Sequence, residues 1–217
     1  MDILAAIINI AILVYSSILH EIAHGYVAYR LGDPTAKLTG RITLNPKPHI
    51  DPYMSVLLPL ILYFSTAGQF IFGGAKPVPV DPFNLKDGIK DLALVSVAGP
   101  GTNIIIAIIA SVLSHLIFPG LSLFEMEASG VFGLILAGIV QWNLVLAIFN
   151  LMPIPPLDGS KIFALILPRR EANMFLSIGN STGMFILIFF LLFPIGPFSL
   201  MGIVSNLMNS SLRLLGF

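Results

Sequence analysis

Long apolar runs constrain the fold of this chain more than any other feature of its sequence. Six such runs span residues 3–29, 54–72, 92–118, 131–152, 174–193 and 198–215. A helix needs about 20 apolar residues to cross a bilayer core, and these runs have that length or come close to it. Charged residues make up only 10% of the chain, whereas soluble domains average about 25%. The sequence therefore predicts an all-α polytopic membrane protein, with about five full transmembrane helices and one re-entrant segment.

The stretches between the runs are too short to form a separate soluble domain. We therefore predict a single membrane-embedded domain over residues 1–217. Residues 30–53 are rich in Gly, Pro and Asn, and alternating β-branched residues within them indicate a small β hairpin near residues 38–45. The first run lacks a preceding basic region and is too long for a cleaved signal peptide, so we expect it to remain in the protein.

Basic residues in the loops predict the orientation of the chain in the membrane. They follow the first, second and fourth runs, whereas the loops at 119–130 and 194–197 contain none. We therefore place those two loops outside and the basic segments in the cytoplasm. Because basic segments flank the second run on both sides, we predict that residues 54–72 enter the bilayer and return, with a bend at Pro59 or Gly68. The alternative is an ordinary span that breaks the charge rule.

The charge balance and the lack of cysteine exclude several classes of function. The chain has 11 basic and 11 acidic residues, and this zero net charge argues against a nucleic-acid partner. With no cysteine, it cannot form a disulfide, a thiolate zinc site or an iron–sulfur cluster. Any metal must be held by histidine, aspartate or glutamate.

An HExxH pattern, from His20 to His24, lies inside the first apolar run. At 3.6 residues per turn, the two histidines share one helix face and can ligate one metal ion. Glu21 lies beside the metal without ligating it and can act as general base and acid. These polar side chains are unfavourable in lipid unless they face a partner or a wet cavity. The simpler alternative is a histidine pair hydrogen-bonded to neighbouring helices.

A catalytic zinc site needs a third protein ligand, and Asp158 is the best candidate. It follows the fourth run in a Pro-rich segment that cannot be helical throughout, and such backbone at membrane depth must line a cavity or pack in protein. His49 and Asp51 lie in another Pro-rich segment, which could reach the site or could form a turn closed by Asx hydrogen bonds. His115 lies near the outer end of the third run, and we interpret it as interfacial.

The depth of the predicted ligands constrains the topology independently of charge. His20 lies about 26 Å along its helix from Ile3, at 1.5 Å per residue, and so is near the cytoplasmic end of the first run. Asp158 follows the fourth run, so the two meet at one depth only if the first and fourth runs are parallel. The third run must then be antiparallel to both, which again requires that residues 54–72 do not make a single crossing.

Five segments of the chain carry a family resemblance. They are HEIAHGYVA at 20–28, GRITLNPKPHIDP at 40–52, GGAKPVPVDPFNL at 73–85, AGPGTN at 98–103 and FNLMPIPPLDG at 149–159. Together they resemble the site-2 protease family of intramembrane zinc metalloproteases, most closely its compact form without a PDZ or CBS domain, and the resemblance covers most of the chain. It implies one Zn²⁺ per chain on His20, His24 and Asp158, with Glu21 as general base, and it implies cleavage of peptide bonds within or near transmembrane helices.

The resemblance also suggests roles for less obvious residues. Asn150 would stabilise the oxyanion of the tetrahedral intermediate, although a hydrogen bond that caps or joins helices is an equal alternative, and Asn103 is ambiguous in the same way. Residues 40–44 would form an edge strand that captures an unwound substrate. Gly99 and Gly101 are predicted to allow close helix packing.

The resemblance further implies a prokaryotic inner membrane as the location, with the active site toward the cytoplasm and transmembrane-helix proteins as substrates. Two other functions compete with proteolysis. A divalent-ion transporter would need polar residues along several spans, and the runs contain few outside the proposed site. A non-proteolytic membrane scaffold with the same fold would not need the acid at Glu21.

Overall fold

Helices joined by short loops make up the part of the chain that the structure describes. This computed structural model describes residues 3–57, 60–61, 64, 75–192 and 199–217, and within those ranges it contains no β-strand. Short 3₁₀ turns lie at Lys47–His49, Pro82–Asn84 and Ala164–Ile166, and Pro52–Leu57 is π-helical. The α-helices are α1 Ile3–Leu31, α2 Thr35–Leu38, α3 Ile89–Ile117, α4 Leu123–Ala128, α5 Val131–Asn150, α6 Asp158–Phe163, α7 Arg169–Ser181, α8 Gly183–Leu192 and α9 Leu200–Leu214.

Three of the described helices, α1, α3 and α5, are long and apolar enough to cross a membrane. They pack against one another and form the centre of the molecule. The outer face of α3 exposes large aliphatic side chains at helical spacing, among them Ile105, Ile109 and Val112, and a surface of this kind favours lipid over water. The prediction of a membrane protein is confirmed. The predicted count of five full spans is not, because the other described helices are shorter.

Polar contacts between the three central helices fix their relative directions. Helix α1 runs parallel to α5 and antiparallel to α3, as the depth of the predicted ligands requires. The end of α1 and the start of α3 therefore lie on the same side of the molecule. The contacts, in order along α1, are Ser16–Asn143, His20–Asn103, His24–Val95 and His24–Asp158.

The small β hairpin predicted near residues 38–45 is wrong. The backbone amides of Gly40 and Arg41 donate back into α2 and end that helix. The guanidinium of Arg41 donates to the carbonyl of Lys76 at 2.6 Å, so the segment packs through a side chain rather than through a strand ladder. The predicted re-entrant segment, 54–72, lies mostly outside the described residues.

The fifth apolar run is two helices rather than one. Helix α7 begins at Arg169, before the predicted start of the run, and the helical structure is interrupted at Thr182 before α8 begins. A Cβ added at Gly183 would lie 3.0 Å from the Pro155 carbonyl carbon, so the break coincides with a close approach to the Pro-rich segment after α5. Between α5 and α7, the chain forms α6 and the 3₁₀ turn that follows it. The turn predicted at 194–197 lies outside the described residues.

The buried carboxylate of Asp33 ties the end of α1 to the segment that leads into α3. It is fully buried and accepts hydrogen bonds from both the amide and the hydroxyl of Thr35. It also accepts from the amide of Asp81 at 2.8 Å and from the side chain of Asn84 at 3.0 Å. A single carboxylate therefore holds residues 81–84 against α1, and this segment borders the cavity described below.

Asp33→Asn is expected to lower the free energy of unfolding by about 1–3 kcal/mol, because an amide would turn a donor toward groups that are themselves donors. Burial acts to raise the pKa of Asp33, but the hydrogen bonds from Thr35, Asp81 and Asn84 outweigh it, and the pKa is lowered. A lowered folded-state pKa means that this stabilisation is complete above the unfolded value of about 3.9. It is lost as the pH falls through the folded value.

Thermal unfolding in detergent, followed from neutral pH down into the acid range, tests this prediction. The difference in Tm between wild type and Asp33→Asn should be constant at neutral pH and should shrink as the pH falls below the unfolded pKa. A difference that does not change with pH would contradict the assignment of this stability to the ionised carboxylate.

Candidate metal centre

Two histidines of α1 and an aspartate that is far from them in the sequence converge inside the helical core. The Nε2 atoms of His20 and His24 lie 3.1 and 3.0 Å from Oδ2 of Asp158, and they lie 3.0 Å from each other. All three residues are buried. Among the described residues, this is the group of histidine and carboxylate side chains that is arranged to hold a metal. The structure therefore brings together the three predicted ligands.

Local structure explains how the three ligands meet. Helix α1 places the two histidines one turn apart on its buried face. Asp158 is the first residue of α6, and this helix starts against the end of α5. A Cβ added at Gly159 would overlap the Leu151 carbonyl, so only glycine allows the chain to turn this tightly and present Asp158 to the histidines.

The hydrogen bond to Nδ1 of His24 gives a test of whether these residues fit a metal ion. This atom lies 2.7 Å from the Val95 carbonyl, and because a carbonyl only accepts, Nδ1 carries the hydrogen. In the neutral ring, Nε2 is then a bare lone pair that faces another acceptor, Oδ2 of Asp158. A cation between them removes this repulsion. Two imidazole nitrogens and one carboxylate oxygen form a donor set typical of catalytic zinc, which leaves a fourth position open.

Neighbouring polar groups orient the ligands. The second carboxylate oxygen of Asp158 lies 3.1 Å from Nζ of Lys161, which directs Oδ2 toward the histidines. Nδ1 of His20 lies 2.6 Å from Oδ1 of Asn103. Such outer contacts fix ligand rotamers and typically contribute to metal affinity. The role of Asn103 was ambiguous in the sequence, and the structure places its side chain against His20, a candidate ligand.

Glu21 faces the same cavity but does not belong to the ligand group. Its Oε2 accepts a hydrogen bond of 2.7 Å from the backbone amide of Val78. Val78 lies in residues 75–81, a non-helical segment that is also held by a hydrogen bond from Lys76 to the His49 carbonyl. Sequence reasoning missed this support for Glu21, because a backbone donor leaves no signature in the pattern of side chains.

The cavity beside the ligand group has a volume of about 880 Å³, and its wall includes Asn150. The side-chain amide of Asn150 donates to the Leu146 carbonyl of its own helix at 2.9 Å. The structure therefore places Asn150 at the cavity with the proposed catalytic residues. Its role toward an oxyanion stays a prediction.

The other histidines and Asp51 do not join the metal site. His49 is fully buried in the loop, and its Nε2 donates to the Thr43 carbonyl at 3.0 Å. Asp51 accepts from the amide of Tyr53 at 2.9 Å, which is the Asx turn considered as the alternative. His115, on the far part of α3, donates to the Leu215 carbonyl at 2.7 Å.

Gly99 has a role that sequence reasoning did not identify. A Cβ at this position would lie 2.5 Å from Nε2 of His20 and 2.6 Å from its Cε1, and it would also overlap Nε2 of His24. The lack of a side chain at Gly99 therefore leaves space at the two candidate ligands as well as for helix packing. The AGPGTN segment was the only signal of this, and it could not indicate what the glycine faces.

Comparison with known proteins is consistent with this site. Residues 126–193 match the model of peptidase family M50. The chain is 37% identical, over 93% of its length, to YwhC of Bacillus subtilis (strain 168), described as a candidate zinc metalloprotease, and it covers 88% of that protein. The chain is also 32% identical to Rip2 of Mycolicibacterium smegmatis, which has the same description. That match covers 65% of this chain and 50% of Rip2. No solved structure matches the chain significantly.

Proposed function

The chain belongs to peptidase family M50, and we propose that it is an intramembrane protease that cuts transmembrane-helix proteins. Membership of this family makes it a zinc metalloprotease and a membrane protein. The depth of the candidate site along α1 is the observation that supports cleavage within the membrane. His20 lies 17 residues into α1, about 26 Å from its start at 1.5 Å per residue. The ligand group is thus surrounded by helices that are apolar enough to cross a bilayer.

The proposed chemistry assigns a task to each side chain at the cavity. His20, His24 and Asp158 would hold one zinc ion, which when bound lowers the pKa of a water and polarises a peptide carbonyl. Glu21 takes a proton from the attacking water and later delivers it to the leaving nitrogen. The amide of Val78 keeps this carboxylate pointed at the cavity.

Asn150 is proposed to stabilise the oxyanion that forms during attack. Its amide nitrogen carries two hydrogens, and the Leu146 carbonyl needs only one of them. The other can be aimed at developing negative charge, and a preorganised neutral donor is most effective in a site that excludes bulk water.

The topology proposed here follows from charge and from helix direction. Because α1 ends where α3 begins, the segment between them returns to the side from which it left, which supports a re-entrant arrangement for residues 54–72. The basic loops support assigning that side to the cytoplasm, and the family resemblance supports a prokaryotic cell. We propose a single membrane domain that meets its substrates in the inner membrane and receives water from the cytoplasmic side.

Cleavage rate is expected to follow how easily the substrate helix unwinds, because its peptide bonds are protected by their own hydrogen bonds. Replacing a glycine near the cleaved bond by leucine should slow cleavage about fourfold, since leucine favours the helix over glycine by about 0.8 kcal/mol. The measurement uses purified protein in liposomes with single-span substrates that differ only at that position. Mass spectrometry of the products locates the cleaved bond.

Matched substrates with the same glycine-to-leucine change in the water-exposed tail serve as the control and should be cut at an unchanged rate. Cleavage only in the tails, with no dependence on the span sequence, would contradict intramembrane proteolysis. The family assignment would survive that result, since a zinc protease that acts at the membrane surface would produce it.

A further inference from the structure

We propose that Asn143 on α5, whose hydrogen bonds go to Asn103, Ser16 and Ile139, determines which ring nitrogen of His20 is available to the metal, acting through Asn103 on α3. Both asparagines are fully buried. Together with Ser16 of α1, they form a chain of hydrogen bonds across all three central helices. We assign Asn143 and Asn103 as positioning residues. The donor and the acceptor of each hydrogen bond in this series can be derived in turn, starting from the Ile139 carbonyl.

The chain of hydrogen bonds begins at a backbone carbonyl. The side chain of Asn143 lies 2.9 Å from the Ile139 carbonyl and 2.9 Å from Oγ of Ser16. Because a carbonyl only accepts, the atom of Asn143 that faces Ile139 is the amide nitrogen. Its oxygen must then face the other way, toward Asn103.

The same reasoning continues through Asn103. Its amide nitrogen lies 2.7 Å from Oδ1 of Asn143 and 3.4 Å from the Ser16 carbonyl, so both of its hydrogens point away from His20. Its oxygen is left to face Nδ1 of His20 at 2.6 Å. An oxygen without a hydrogen accepts, so Nδ1 of His20 must be the protonated nitrogen. Nε2 is then a bare lone pair directed at the metal position beside Asp158.

Because both asparagines are buried, only this orientation of their side-chain amides is favourable. Reversing either amide would place two donors or two acceptors face to face among buried groups, which is costly for each unmatched group. His24 obtains the same tautomer directly from the Val95 carbonyl. For His20, the side-chain oxygen of Asn103 takes the place of such a carbonyl. The Ile139 carbonyl orients the amide of Asn143, which in turn orients the amide of Asn103.

The first test measures the tautomer of His20 in zinc-free protein, so although the inference rests on the metal centre of the proposed function, it does not depend on proteolysis. The ¹⁵N shifts of labelled histidine distinguish the two neutral tautomers, and the His20 signals are assigned by their loss in His20→Gln. Wild type should have the hydrogen on Nδ1. Asn103→Asp, which keeps an acceptor toward His20, should retain this tautomer, whereas Asn103→Leu and Asn143→Leu should shift toward the other one.

The second test measures zinc affinity by competition with a chelator. Asn103→Leu should weaken binding about 10- to 100-fold, as is typical when the partner of a metal ligand is lost. Asn143→Leu, one step further away, should weaken it about 3- to 10-fold, which corresponds to one orienting hydrogen bond. Asn9→Leu is the matched control, because it removes the 2.8 Å Trp142–Asn9 hydrogen bond between the same helices, α1 and α5. It should change zinc affinity less than about twofold.

Several outcomes would overturn the proposal. They are a His20 without a hydrogen on Nδ1 in the zinc-free wild type, an unchanged tautomer and affinity in Asn143→Leu, and a loss in Asn9→Leu equal to that in Asn143→Leu. If Asn143→Leu does not fold, the wild-type tautomer and the contrast between Asn103→Asp and Asn103→Leu decide the question. Failure to cleave peptides, by contrast, would count against the proposed function and leave this assignment intact.

Discussion

Glu21→Gln is expected to lower the rate of peptide cleavage by about 10²- to 10⁴-fold while bound zinc stays unchanged, since this is the range that a positioned general base contributes. Glutamine has nearly the same shape as glutamate and keeps an oxygen that can accept the Val78 amide. It cannot take a proton from water. The substitution therefore removes proton transfer and leaves the ligands and the adjacent segment in place.

Single-turnover cleavage of a reconstituted substrate, with zinc quantified in the same samples, measures this effect. Glu171→Gln makes the same chemical change at an exposed position of α7, and it should cleave and bind zinc like wild type. Cleavage by Glu21→Gln at the wild-type rate would remove Glu21 from the mechanism. Loss of zinc from this variant would make Glu21 part of the metal site, contrary to its place outside the ligand group.

Gly99→Ala is expected to weaken zinc binding about 10- to 100-fold and to reduce cleavage in parallel. The added methyl group would lie against the ring nitrogens of both histidines, closer than van der Waals contact allows. Either α3 must move away from α1 or the imidazoles must rotate. Overpacking of this kind typically costs about 1–3 kcal/mol, and the strain falls directly on the ligand geometry.

Gly101→Ala is the matched control for Gly99→Ala. It makes the same change two residues further along α3, where an added Cβ meets nothing within 4 Å. It should leave zinc affinity unchanged, and because alanine favours a helix over glycine, it should not lower stability. Equal effects of the two variants would mean that glycine serves α3 in general rather than the metal site. Chelator competition and thermal unfolding of both proteins distinguish these results.

The sequence was sufficient to predict which three side chains the structure brings together at the candidate metal site. The spacing of His20 and His24 fixes their common helix face, because helical periodicity is a local property. The requirement for a third ligand, together with the Pro-rich segment before Asp158, identified a residue 134 positions beyond His24, and the structure places all three atoms together. The parallel course of α1 and α5 followed from the same depth argument.

Predictions that depended on local propensity alone were less successful. The alternating residues near 38–45 suggested a hairpin, but the end of α2 satisfies the local amides and no strand forms there. The run at 174–193 suggested one helix, but a close approach of Pro155 accompanies a break before α8. In the first segment the competing structure is a local helix end, and in the second the break coincides with a neighbour that the local pattern does not reveal.

The amino-acid sequence by itself determined that this chain is a helical membrane protein, and it identified His20, His24 and Asp158 as the candidate zinc ligands. Hydrophobic length and helical spacing are properties of the chain and do not depend on which helices become neighbours. Only the tertiary structure decided that Gly99 leaves space at the ligands, that Val78 holds Glu21, and that Asn143 reaches His20 through Asn103. Those contacts join residues far apart in the chain, and their energies depend on matched donors, acceptors and volumes in a buried interior, which no local pattern encodes.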